Sequence, residues 1–156
     1  MASGWQKQYE RMRRWHKRLG VASSANEAEQ VDDFYAFFVC CYHLKDWIKN
    51  DDAAAPETVR REVESFVNDS PTLALSGDIT NGFKHLRRDR PARVDAAARV
   101  SAIVNPSLGE FVLGESRLGG IVVLGDQGRQ DAKQVADRCL KEWNDFLRSK
   151  GLVTNG

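Results

Sequence analysis

The chain predicts a mainly α fold, a four- or five-helix bundle with a small antiparallel β insert at about residues 92–128, before the last helix. Apolar residues recur at helical spacing from Trp5 to about residue 90, and again from about Gln130 to Lys150. Between Pro91 and Gln130 that spacing gives way to short β-branched runs punctuated by Gly, Pro and Asn. A length of 156 residues suits one domain with a single core, and 42% hydrophobic with 29% charged residues excludes a disordered or fibrous chain.

Trp5, Tyr9, Met12, Trp15 and Leu19 share one helical face, and Gly20 is a natural stop. The opposite face carries Lys7, Arg11, Arg14 and Lys17 or Arg18. Such a face either touches phosphate or anionic lipid or is simply solvated, with Glu10 diluting its charge. Ser24 and Glu27 stand at capping-box spacing and open a second helix through about Asn50. Phe34, Phe37, Phe38, Cys41, Leu44 and Ile48 cover one broad face of it, widened by Cys40 and Trp47, which places this helix at the centre of the bundle. Its remaining strip, Asp32, Tyr35, Val39, Tyr42, His43, Asp46 and Asn50, faces a cleft or solvent.

Pro56 suits the first turn of a third helix, which runs to about Asn68 and buries Val59, Val63, Phe66 and Val67. Ser70 caps and Pro71 opens a fourth helix that reaches Arg90, with Arg87, Arg88 and Arg90 complementing its carboxyl-end dipole and Pro91 stopping it. Leu75, Ile79, Phe83 and Leu86 form its apolar stripe. Ala98–Val104, Glu110–Leu113 and Gly120–Leu124 read as strands, and Gly125-Asp126-Gln127-Gly128 closes the insert. The last helix buries Val135, Ala136, Cys139, Leu140, Trp143, Phe146 and Leu147; Gly151 caps it and Leu152 folds back on it.

A net charge of +1 gives no global pull toward nucleic acid or acidic membranes, so local patches must supply any such attraction. The three cysteines include the adjacent pair Cys40-Cys41, whose side chains point about 100° apart on a helix, and no CxxC pair occurs. Reduced, buried thiols follow. The amino-terminal stretch lacks the continuous apolar region of a signal peptide, and no run is long enough to span a membrane. The expectation is a cytoplasmic protein with no membrane partner and no cofactor.

Chemistry is densest on the fourth helix, where Asp78, Asn81, Gly82 and His85 line one polar stripe. His43 lies three residues before Asp46 on the second helix, within reach of its carboxylate. If these helices are neighbours, His43, Asp46, Asp78, Asn81 and His85 converge in one crevice. His85 is then a general acid or base, Asp78 or Asp46 orients its ring, and Lys84, Arg87 or Arg88 binds phosphate. Equally, the same residues form internally paired architecture. Glycine within a helix costs about 1 kcal/mol relative to alanine, so Gly82 implies close packing of a second helix or room for a ligand.

The runs DDFYAFFVCCYHLKDWIKND, DITNGFKHL and CLKEWNDFLRSKGL resemble those of a family of small bacterial proteins that share a YAFF…C.HL.DW central helix and a D..N..KH helix. That family is similar in layout to the HEPN superfamily, helical bundles that often act as dimers in RNA-cleaving toxins and phage-defence systems. The resemblance implies a homodimer and an RNA or nucleotide ligand in a bacterial or phage conflict setting. HEPN nucleases carry an Arg, four to six intervening residues and a His; His85 matches the His, but the Arg positions fall on Thr80, Ile79 or Asp78. A metal-independent ribonuclease needs a positive group at the developing phosphorane. The expectation is therefore a non-catalytic binding or interaction domain for a nucleotide or nucleic acid, with a ribonuclease using His85 and a purely structural subunit as alternatives.

Overall fold

The described residues form five helices and a three-stranded antiparallel sheet: α1 (Gly4–Arg18), α2 (Glu27–Lys49), α3 (Glu57–Asp69), α4 (Pro71–Lys84), β1 (Arg99–Ala102), β2 (Ile121–Gly125), β3 (Gly128–Asp131) and α5 (Ala132–Ser149). The computed structural model describes residues 4–19, 26–84, 92–102, 120–126 and 128–153. The fold is a helical bundle with the small sheet inserted before the last helix, as the change of periodicity after Pro91 predicts. The expected strand at Glu110–Leu113 lies outside the described residues, as do the outer part of Ala98–Val104 and the carboxyl end expected for the fourth helix.

The centre is α2, which packs against α1, α3, α4, α5 and β1. Phe34, Phe37, Phe38, Cys41, Leu44 and Ile48 are all buried, each large side chain contributing about 1.5–3 kcal/mol. Trp47 departs from the expected apolar face and stays 40% exposed. Start signals decide the ends of the helices. Asn26, rather than Ser24, is the cap of α2, its side chain accepting from the Glu29 amide at 2.9 Å. Ser70 accepts from the Leu73 amide at 3.1 Å, and Pro71 opens α4. At the far end Gly151, with φ of 69°, lets its own amide reach Arg148 and that of Leu152 reach the Leu147 carbonyl at 2.9 Å, which folds the chain back on α5.

The sheet order is β1-β2-β3, with Val100 opposite Val123 and Val122 opposite Asp131. Gly125 and Gly128 pair across a hairpin turn, and β3 corrects the expectation that the insert ends there: residues 128–131 run back along β2 before α5 begins. Its sequence, GRQD, has no β-branched or aromatic residue to announce a strand. At the outer edge of β1 the Tyr35 hydroxyl accepts from the Val100 amide at 3.1 Å and donates to its carbonyl at 3.4 Å. One cluster of buried side chains draws on all five helices and on β1 and β2. Cys40, Cys41 and Cys139 are buried in it and unbridged, with Cys139 set against Cys41, whose hydrogen bond together with burial pushes the Cys139 thiol up.

Candidate functional site

The polar stripe of α4 divides into parts with different fates. Asp78 is fully buried, and its carboxylate accepts from the backbone amides of Arg93 at 2.9 Å, Val94 at 2.6 Å and Asp95 at 2.9 Å. Asp95, also buried, in turn accepts from the amides of Ala97 at 3.0 Å and Asp126 at 3.1 Å. The two carboxylates form a relay from α4 through the 93–97 loop to the β2–β3 turn. Hydrogen bonds to a charged acceptor are each worth about 1.5–3 kcal/mol, and they offset the cost of burying the charge. Asn81 is half-buried and Lys84 exposed on the last turns of α4. His85, Arg87 and Arg88 lie outside the described residues.

The glycines of α4 follow the same division. A Cβ at Gly77 would stand 2.7 Å from the Tyr42 ring, so the contact between α2 and α4 requires its absence. At Gly82 a Cβ would meet only the Ala98 carbonyl, at 3.4 Å. Within the chain, what approaches Gly82 is the backbone leading into β1.

Of the groups expected in one crevice, Asn81 lies away from the His43–Asp46 pair, and His85 is outside the described residues. Gly77 faces Tyr42, and Phe83 stacks on Tyr35 with ring centroids 4.5 Å apart, so α4 runs antiparallel to α2 and Asn81 lies toward the Tyr35 level. Asp46 is a turn beyond Tyr42 in the other direction. His43 Nδ1 does contact Asp46 at 2.9 Å, the spacing that the sequence allowed. Lys45 adds a bond to Asp46 at 3.1 Å and another to Glu64 of α3 at 3.3 Å. Burial raises the Asp46 carboxyl, but hydrogen bonds from His43 and Lys45 outweigh it and hold the group below the usual carboxylate range. Burial lowers Lys45, and its bond to Asp46 with the nearby Tyr42 and Glu64 reverses that, leaving its pKa raised. Lys45 and Arg93 both lie on the Tyr42 ring, at 4.9 and 5.1 Å from its centroid. These contacts join α2 to α3 near α4, and the Asp46 side chain remains 42% exposed. Among the described residues no group of three His, Cys, Asp or Glu side chains is placed to hold a metal ion.

A second charged cluster was missed in sequence because its members are far apart in the chain. His16 Nε2 contacts Asp137 at 2.7 Å, Lys133 pairs with the same carboxylate, and the imidazole lies against Phe37. Burial pushes the Asp137 carboxyl up, and bonds from Lys133 and His16 outweigh it to leave the group lowered. This ties α1 to α5.

The outer face of α1 differs from all of these. Lys7, Arg11, Arg14, Lys17 and Arg18 are exposed, opposite the buried Trp5, Tyr9 and Met12. Arg18 pairs with Asp33 at 3.3 Å and Arg13 with Glu10 at 3.1 Å. Lys7, Arg14 and Lys17 have no hydrogen-bond or ion-pair partner among the described residues. The Arg11 guanidinium lies over the Trp47 ring, 5.8 Å from its centroid. Beside that ring is a shallow depression of about 440 Å³, lined by Gly4, Asp46, Trp47, Asn50 and Asp51. The sequence shows the row of cations but not Trp47 beside it, since an aromatic at helical spacing reads as core.

No family model, curated protein or solved structure matches the chain. No helix among the described residues is long and apolar enough to cross a membrane.

Proposed function

We propose that this protein is a non-catalytic binding domain whose ligand is a nucleic acid, held by phosphate contacts to the outer face of α1. The observation that carries the reading is the row of Lys7, Arg11, Arg14 and Lys17, exposed on one side of the helix with no carboxylate among the described residues bonded to any of them. From Lys7 to Lys17 the row spans roughly 15 Å, about four nucleotide steps of ~3.4 Å. His16, Lys17 and Arg18 occupy the last turn, where positive charge also suits the helix dipole. With a net charge of only +1, attraction is local to this face. The spent carboxylate of Asp78 supports binding over catalysis, since it leaves α4 without the free orienting group that the His85 alternative uses.

The test is fluorescence anisotropy with a labelled oligonucleotide across a salt series. Binding should weaken with salt at a slope of about −3 for four phosphate contacts, and Lys7→Ala with Arg14→Ala should remove about 1.5 of that slope. No binding at low salt sinks the reading. Cleavage of an RNA probe, abolished by His85→Ala in a folded variant, would replace it with the HEPN-type ribonuclease. The homodimer implied by the HEPN-like resemblance belongs to the same proposal; Phe83, 59% exposed against Tyr35, is where a second copy would pack. Sedimentation of wild type and Phe83→Ser decides that part.

A further inference from the structure

The depression beside Trp47 gives the basic face a polarity along its length. Trp47 is 40% exposed on a helix whose other large apolar side chains are buried or half-buried, and the Arg11 guanidinium lies over its ring. An aromatic surface next to an arginine offers a stacking platform to a planar ring, and beyond it the surface turns acidic. The Asp51 carboxylate is spent on the Trp5 and Ala54 amides, at 2.9 and 3.1 Å, and Asp46 receives His43 and Lys45. Asn50, an exposed residue, donates from its side-chain nitrogen to the Asp46 carbonyl at 2.8 Å, and its side-chain oxygen accepts no bond from the described residues. The Asp46 carboxylate, its side chain 42% exposed, and the Asn50 amide oxygen disfavour a phosphate and can accept from an N–H group.

We infer that this depression binds an unpaired nucleobase stacked on Trp47, its amino edge toward Asp46 and Asn50 and its phosphate toward Lys7 and Arg11. The inference rests on the proposed nucleic-acid binding and makes the ligand single-stranded. A base inside a duplex cannot present its face to Trp47, and cytosine, adenine and guanine carry the exocyclic amine that uracil lacks.

The experiment compares wild type, Trp47→Ala, Trp47→Phe and the Lys7→Ala/Arg14→Ala variant, each checked for its melting transition. Probes are oligocytidylate, oligouridylate, a duplex of equal length and vesicles of anionic lipid. Trp47→Ala should weaken oligocytidylate binding about tenfold, Trp47→Phe should retain most of it, and duplex binding should not respond to either. Oligocytidylate should bind more tightly than oligouridylate. If Trp47→Ala leaves single-strand binding intact while the lysine–arginine variant weakens it, the stacking site is wrong and the basic-face reading stands. Equal affinity for the two oligonucleotides overturns the amino-edge assignment. Binding to vesicles but to no oligonucleotide overturns both the site and the reading beneath it.

Discussion

The α4–sheet junction and the outer face of α1 are both dense in charge, and they use it in opposite ways. At the junction Asp78 and Asp95 are buried and their oxygens accept backbone amides from a loop and a turn. On α1 the cations Lys7, Arg14 and Lys17 point to water with no partner among the described residues. A polar side chain whose bonding capacity is already filled stabilises the fold; one that is left open can be used by a ligand. Within the stripe that looks most like chemistry in the sequence, Asp78 is of the first kind, and the cations of the face that reads as ordinary solvated surface are of the second.

The sharpest way to break this contrast is Asp78→Ala. It removes the acceptor of the Arg93, Val94 and Asp95 amides and should cost about 3 kcal/mol or more in urea unfolding, with Asp78→Asn intermediate. A loss below about 1 kcal/mol would mean that the relay is incidental. Next comes Gly77→Ala, whose methyl collides with Tyr42; a loss of about 1–3 kcal/mol is expected. Gly82→Ala should go the other way, raising stability by up to about 1 kcal/mol through helix propensity, because its methyl meets only the Ala98 carbonyl at ordinary contact distance. Thermal melts of the two variants side by side would collapse the distinction if they moved together. Lys7→Ala with Arg14→Ala should change stability by less than about 0.5 kcal/mol, whatever it does to binding.

The smallest effect lies at Asp137. Its folded carboxyl titrates below the ordinary value, so its contribution is present above about pH 4 and is lost as pH falls through the lower folded value. With the Asp137 side chain 49% exposed, the pair with His16 is worth only some tenths of a kcal/mol. Asp137→Asn should flatten the acid limb of stability slightly; an unchanged limb would count against the tie between α1 and α5.

The helices were legible because their signals are local. Phe34, Phe37, Phe38, Cys41, Leu44 and Ile48 announce the buried side of α2 by spacing alone, and Ser70-Pro71 and Gly151 mark ends by their own backbone chemistry. Where the outcome depended on distant residues, legibility failed. Asp78 has the same spacing from Asn81 whether it serves a ligand or the amides of residues 93–95. Gly77 is distinguished from Gly82 only by Tyr42, thirty-five positions earlier on another helix. β3 escaped notice because its pairing with β2 uses the backbone, and Asn26 rather than Ser24 is the cap because capping residues two positions apart differ only in where the helix actually turns.

The Tyr35 hydroxyl on Val100 has a consequence for how copies of the chain can meet. An unpaired strand edge recruits other strands, in aggregates as well as in functional strand addition. Here one phenol occupies both the donor and the acceptor that Val100 would offer to an incoming chain. Intermolecular sheet extension is therefore obstructed at that point by a single oxygen atom held on the central helix.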